Sequence, residues 1–148
     1  VSFRKPYYYV NVPSRNNPDY APEGHESLFI LCPSPDRRFK PDWSDREEIA
    51  QNIIDDLSLR SGYNINEMIV SKTILSPEHW ENMFNLYKGS GLGLAHDLNQ
   101  IGWFRPANKD EKLNNVYYVG ASTIPGTGLP MTIISSKLTT ERILSDLA

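Results

Sequence analysis

The sequence predicts a mixed α/β chain, an α+β fragment of short strands and amphipathic helices. Three observations predict it. Tyr7-Tyr8-Tyr9-Val10-Asn11-Val12 and Leu28-Phe29-Ile30-Leu31-Cys32 have the aromatic and β-branched composition of strands. Ile49, Ile53 and Leu57 recur every four residues, with Ile54 beside them, as on the buried face of a helix. From Val116 to Leu147 a hydrophobic run, a Gly/Pro loop and a helical pattern follow one another. At 148 residues, 39% of them hydrophobic, the chain has material for one ordinary domain.

The same numbers exclude several classes. Cys32 is the sole cysteine, so there is no disulfide scaffold. The longest apolar run, Leu28 to Cys32, is far below the ~20 residues that cross a bilayer. Fifteen basic residues against eighteen acidic ones give a net charge of −3, which argues against nucleic acid as a partner. The chain starts at Val1 without a signal peptide and reads as a processed or cut piece.

Each element has its own signals. Pro6 and Pro13 fence the first strand, and the Asn/Asp/Pro/Gly stretch Ser14 to Gly24 turns the chain. The continuous apolar run Leu28–Cys32 reads as a buried strand that pairs with the first as a long-looped hairpin. Three prolines between Pro33 and Pro41 make a connector; its basic residues resemble a phosphate patch, but Asp36 and Asp42 dilute them, and a solvated loop is preferred. Ser44 with Glu47 fits a capping box, and Gly62 ends the helix it opens. Glu47, Glu48, Asp55 and Asp56 fall on that helix's polar side and read as solvated surface. Met68 to Leu75 reads as a further strand. Ser76-Pro77 starts a helix to Phe84, with Trp80 and Phe84 expected to face the core. His79 has no second ligand at metal spacing, so a surface or capping role is preferred and no metal is expected.

Chemistry concentrates after Asn85. Lys88-Gly89-Ser90-Gly91-Leu92-Gly93 is glycine-rich but has neither phosphate-loop nor dinucleotide-binding spacing. Val116–Gly120 reads as a strand, Ala121–Pro130 as a loop, and Met131–Leu147 as a helix with Ile134, Leu138 and Arg142 or Ile143 on successive turns. A helix N-terminus aimed back at such a loop offers free amides and a positive dipole end to an anionic or carbonyl-bearing ligand.

Val116 to Leu138 (VYYVGASTIPGTGLPMTIISSKL) closely resembles the C-terminal signature of the carotenoid desaturases of the bacterial and fungal phytoene desaturase type. So do Tyr9-Val10-Asn11-Val12-Pro13-Ser14-Arg15 with Ala21-Pro22-Glu23-Gly24-His25, Phe84 to Ser90 with Gly93-Leu94-Ala95-His96, and Phe104-Arg105-Pro106-Ala107-Asn108. These four matches keep the family's order and span nearly the whole chain. The resemblance implies the C-terminal portion of a two-domain FAD-dependent oxidoreductase fold. Residues 1–84 would belong to the antiparallel sheet of a substrate domain, and 85–148 would return into the FAD-binding domain as its closing strand, loop and helix. It further implies FAD as cofactor, a linear polyene such as phytoene as substrate, quinone or oxygen as electron acceptor, and peripheral association with the cytoplasmic face of a membrane. Gly120, Ala121, Ser122, Pro125, Gly126, Gly128 and Pro130 would lie at the cofactor, with Met131 opening the helix. The catalytic residues are unknown; His96 and Arg105 are the polar candidates in the matched segments.

Two departures stand out. Ile124 occupies the family's usual His position, and Pro33–Pro41 is unlike the usual connector. The nucleotide-binding G-x-G-x-x-G unit is absent from this sequence. The chain alone is therefore expected to hold FAD weakly or not at all. A non-catalytic fragment or docking subunit that needs a separate FAD-binding chain stays open, as do an amine-oxidase-like flavoenzyme and a carotenoid oxidase or isomerase.

Overall fold

The computed structural model describes residues 7–148 and divides into two compact units, which meet in sequence at Gly89 and Ser90. Residues 1–6, including Pro6 of the first strand's fence, lie outside the described residues.

In the first unit, β1 (Tyr9–Asn11) and β2 (Phe29–Leu31) pair antiparallel, with Val10 opposite Ile30. The long-looped hairpin is therefore formed. β2 is not buried on both faces: Phe29 and Leu31 are about half exposed, and only Ile30 turns inward. A two-stranded ribbon can cover only one of its faces, so the apolar run serves one side only. The core beneath it is Trp43, Ile49 and Ile53, against which Tyr8, Ile30 and Cys32 pack.

The helix that supplies this core, α1 (Arg46–Ser61), has the expected stripe, and Gly62 closes it in the left-handed conformation at φ 76°. Its start differs from the capping-box expectation. Ser44 turns back to Asp42, which accepts from both its amide (2.9 Å) and its hydroxyl (2.8 Å), and the helix begins one residue after Asp45 without a side-chain cap. Asp42 competes locally for the hydroxyl that the box requires.

The polar side of α1 is used in surface pairs. Asp56 accepts from Tyr8 Oη and Arg60 Nε, both at 2.6 Å, and Asp55 accepts from Gln51 and Asn66. Tyr8 and then Arg60 hold the Asp56 carboxyl below its ordinary value; Asn66 and then Gln51 do the same for Asp55. A carboxyl depressed by folding contributes stability that is complete above its unfolded value, near 4, and is lost as pH falls through the lower folded value. Denaturation midpoints are expected to be flat down to about pH 4 and to fall below it. Asp56→Asn should flatten that limb, whereas an unchanged limb would contradict the assignment.

Residues 68–75 are not a strand. α2 (Ile65–Met68) is a single helical turn, and the chain from Ile69 to Ser76 is irregular, with Val70 79% exposed. A β-branched run needs a neighbouring strand to satisfy its backbone, and among the described residues none pairs with it.

α3 (Pro77–Phe84) starts where Ser76-Pro77 signals, and His79 takes the capping role: its Nδ1 lies 3.2 Å from the Ser76 amide and 2.9 Å from the Ser76 hydroxyl. Trp80 and Phe84 do not face the core. They stack on each other, centroids 5.2 Å apart, on a half-exposed surface. The connector's charges are spent locally: Arg37 pairs with Glu81, Arg38 with Asp36, and Lys40 with Asp45.

Gly89 closes the unit. Its φ is 73°, and a Cβ there would collide with the carbonyl oxygen of Pro77. Gly89→Ala is expected to cost about 3 kcal/mol, from left-handed strain plus a backbone clash that cannot relax cheaply. Urea unfolding measures it, and a loss below about 1 kcal/mol would contradict the contact.

The second unit is built on one long helix, α4 (Leu129–Leu147). Val116–Gly120 is extended but makes only a single antiparallel bridge, Lys109 with Tyr117, bracketed by Tyr118 N to Asn108 O (2.9 Å) and Asp110 N to Val116 O (3.0 Å). The expected strand is thus one arm of a minimal hairpin. α4 begins at Leu129, two residues before Met131, with Pro130 in its first turn. Its buried face is polar, Ser135 and Thr139, while Ile133, Ile134, Leu144 and Leu147 are exposed. No helix among the described residues is long and apolar enough to cross a membrane.

Candidate functional site

The loop between the hairpin and α4 is held from inside by two side chains. Arg105 is 3% exposed. Its Nε donates to Thr123 O (3.1 Å), Nη1 to Ala95 O (3.2 Å) and Gln100 O (2.8 Å), and Nη2 to Leu94 O (3.1 Å) and Ala121 O (2.5 Å). A guanidinium has five N–H groups, and all five are spent on backbone carbonyls. Arg105 therefore organises the loop and has no donor left for a substrate.

Asn108 is fully buried. Its Nδ2 lies 3.0 Å from Ile124 O, 3.2 Å from Ser135 Oγ, 3.3 Å from Thr123 Oγ1 and 3.4 Å from Tyr118 O. Ser135 Oγ also accepts from the Gly120 amide (3.1 Å) and meets Thr123 Oγ1 at 2.9 Å; the Thr123 hydroxyl reaches Gly120 O at 3.0 Å. Thr139 Oγ1, one turn on, lies 2.8 Å from Tyr118 O. The hairpin, the loop and α4 are thus tied through one buried polar cluster. In such a cluster each group left unpaired would cost on the order of 1–3 kcal/mol.

This framework carries the sequence-predicted residues. Gly120 has φ 117°, and a Cβ on it would meet nothing within 4 Å. Ala121 is half-buried, and Ser122 is exposed, its Oγ against Gly93. Pro125 follows a cis peptide bond from Ile124. Gly126 is buried beneath two side chains: a Cβ there would stand 3.1 Å from His96 Nε2 and 3.6 Å from Arg105 Nε. Gly128, exposed at φ 113°, is the N-cap of α4 and supplies no side-chain cap; Pro130 is exposed and Met131 half-buried. Gly128 O accepts from Thr132 N at 2.9 Å, whereas Leu129 and Met131 sit in the first turn, where amides have no acceptor within the helix. The segments around Gly93, His96, Arg105 and Gly120–Met131 therefore converge within this unit.

Sequence reading missed the cluster of Asn108, Thr123, Ser135 and Thr139. The available signal was Ser135 and Thr139 four apart on one helix face.

The site offers two positive-φ glycines before a helix without a side-chain cap, Gly126 packed on His96 and the buried Arg105, and Gly128 open. Residues 4–144 match the family described as flavin containing amine oxidoreductases. The chain belongs to that family. Among curated relatives it is 38% identical over 142 residues to the zeta-carotene-forming phytoene desaturase of Myxococcus xanthus, covering 95% of this chain and 28% of that protein. It is 36% identical over 163 residues to the phytoene desaturase of Fusarium fujikuroi, covering 96% and 29%. It is 33% identical over 148 residues to the 4,4'-diapophytoene desaturase (4,4'-diaponeurosporene-forming) of Staphylococcus aureus strain Newman, covering 96% and 30%. The chain thus spans less than a third of the length of these relatives.

The residues present fit a flavin. A flat ring with electron-rich carbonyl edges needs amide donors and ground free of side chains; Gly120 and Gly128 leave such ground, and the first turn of α4 has the donors.

Proposed function

We propose that this chain is the C-terminal part of an FAD-dependent carotenoid desaturase that dehydrogenates a linear polyene such as phytoene. The observation that carries the reading is the loop Gly120–Gly128, held over Arg105 and Asn108 and opening onto the N-terminus of α4, in a chain similar to desaturases over almost its whole length.

A bound FAD would supply hydride acceptance from the substrate and onward electron transfer to an acceptor such as quinone or oxygen. The chain's own residues position and polarise. Gly120, Ala121, Ser122, Pro125, Gly126, Gly128, Pro130 and Met131 form the cofactor-facing loop and helix start, with amides of the first turn as donors toward the flavin's carbonyl edge. Arg105 and Asn108 fix the loop's course. His96 is the loop's polar neighbour, its ring against Gly126. On this reading residues 1–84 belong to a substrate domain and 85–148 to the cofactor domain. The oily substrate implies peripheral contact with a membrane.

The full-length protein containing this chain, expressed with phytoene, should yield coloured desaturated products and purify with flavin absorption. Turnover of an amine without coloured product would favour the amine-oxidase-like alternative. His96→Gln with undiminished turnover would remove His96 from the chemistry.

A further inference from the structure

Among the described residues no carboxylate pairs with Arg105; the ion pairs all lie elsewhere. Its guanidinium is buried and held by carbonyl dipoles alone, so its charge is solvated but not neutralised. Nε and Cζ lie 3.6 and 3.7 Å from where a Cβ would stand on Gly126, two residues before the N-cap of α4. The positive end of that nineteen-residue helix and a whole elementary charge therefore act on the same loop. Screening is weak where water is excluded, so the charge is felt beyond its own contacts.

We propose that Arg105, besides ordering the loop, is a positioning residue of charge: it raises the reduction potential of the bound flavin. The inference rests on the reading of Gly120–Gly128 as the flavin-facing loop. Hydride carries two electrons and one proton, so a neutral ring that takes it up gains one negative charge. The C–H bond of the polyene supplies the hydride, and the proton lost from its neighbouring carbon goes to solvent as the double bond forms. A fixed positive charge beside the ring favours the side of that equilibrium with the added negative charge.

The test is the flavin midpoint potential of the full-length holoprotein, read by dye-coupled reduction. Arg105→Leu is expected to shift the reduction equilibrium at least tenfold toward the oxidised form, about 30 mV for a two-electron couple. Arg105→Lys keeps the charge and loses donors, so its potential should stay near that of the parent while flavin affinity falls. Equal shifts in the Lys and Leu variants, or no shift in Leu, overturn the inference. If the Leu variant does not fold, Ala95→Asp decides. Ala95 is exposed, and its carbonyl accepts from Nη1. A carboxylate there should lower the potential at low ionic strength and lose that effect in high salt; a potential indifferent to it overturns the inference. Parent protein that binds no flavin at all removes the functional reading and the inference together. Flavin bound at unchanged potential in the variants removes the inference alone.

Discussion

Arg105→Met is expected to destabilise the unit Ser90–Ala148 by about 3 kcal/mol or more. The side chain fills nearly the same volume, so the loss comes from donors. Five carbonyls, at Leu94, Ala95, Gln100, Ala121 and Thr123, lose their partner at once, and a thioether offers them nothing. Chemical denaturation followed by near-ultraviolet circular dichroism measures the effect. Arg105→Lys should recover only part of it, because three donors on one nitrogen cannot reach five acceptors spread around a planar fork. A Met variant as stable as the parent would mean that water serves these carbonyls equally well.

The second large effect is expected at Gly126. Its φ of 135° lies where a side chain is strained, and its Cα faces both His96 and Arg105. Gly126→Val should cost about 2–4 kcal/mol, from backbone strain and overpacking together. It should also displace the loop that leads into α4, so flavin affinity in the full-length protein should fall at least tenfold. The two causes separate in the double variant with His96→Ala. That change removes the nearer contact but leaves Arg105 and the strain, and only part of the stability should return. Full recovery would show that the contact alone mattered.

How much of this was legible in sequence depends on what each feature rests on. α1 and α3 were readable because their signals are local: an apolar stripe, a Gly62 stop, a Ser-Pro start. The hairpin of β1 and β2 was readable because two β-forming runs flank a turn-rich stretch. Met68–Leu75 and Val116–Gly120 were misread for one shared reason. Strand-forming composition says nothing of whether a ladder partner exists, and among the described residues one run has none and the other has a single bridge. The buried face of α4 was not legible, because helical periodicity marks apolar residues. Ile134 fits the pattern, yet Ser135 and Thr139 are the residues inside. The loop's location came from its Gly/Pro composition, and its cofactor role from family resemblance. Its construction could not, since the partners of Arg105 are backbone carbonyls, which leave no mark in residue identity.

That last property governs which changes this region can accept over time. Carbonyls at 94, 95, 100, 121 and 123 converge on one guanidinium, so their side chains are free to vary while their spacing along the chain is not. A single inserted or deleted residue between Leu94 and Arg105 would rotate an acceptor out of reach. The turn at 111–115, at the far end of the hairpin and exposed, carries none of these carbonyls and can lengthen. Homologous chains should therefore drift in identity but hold their length from 94 to 105, and differ in length near 111–115.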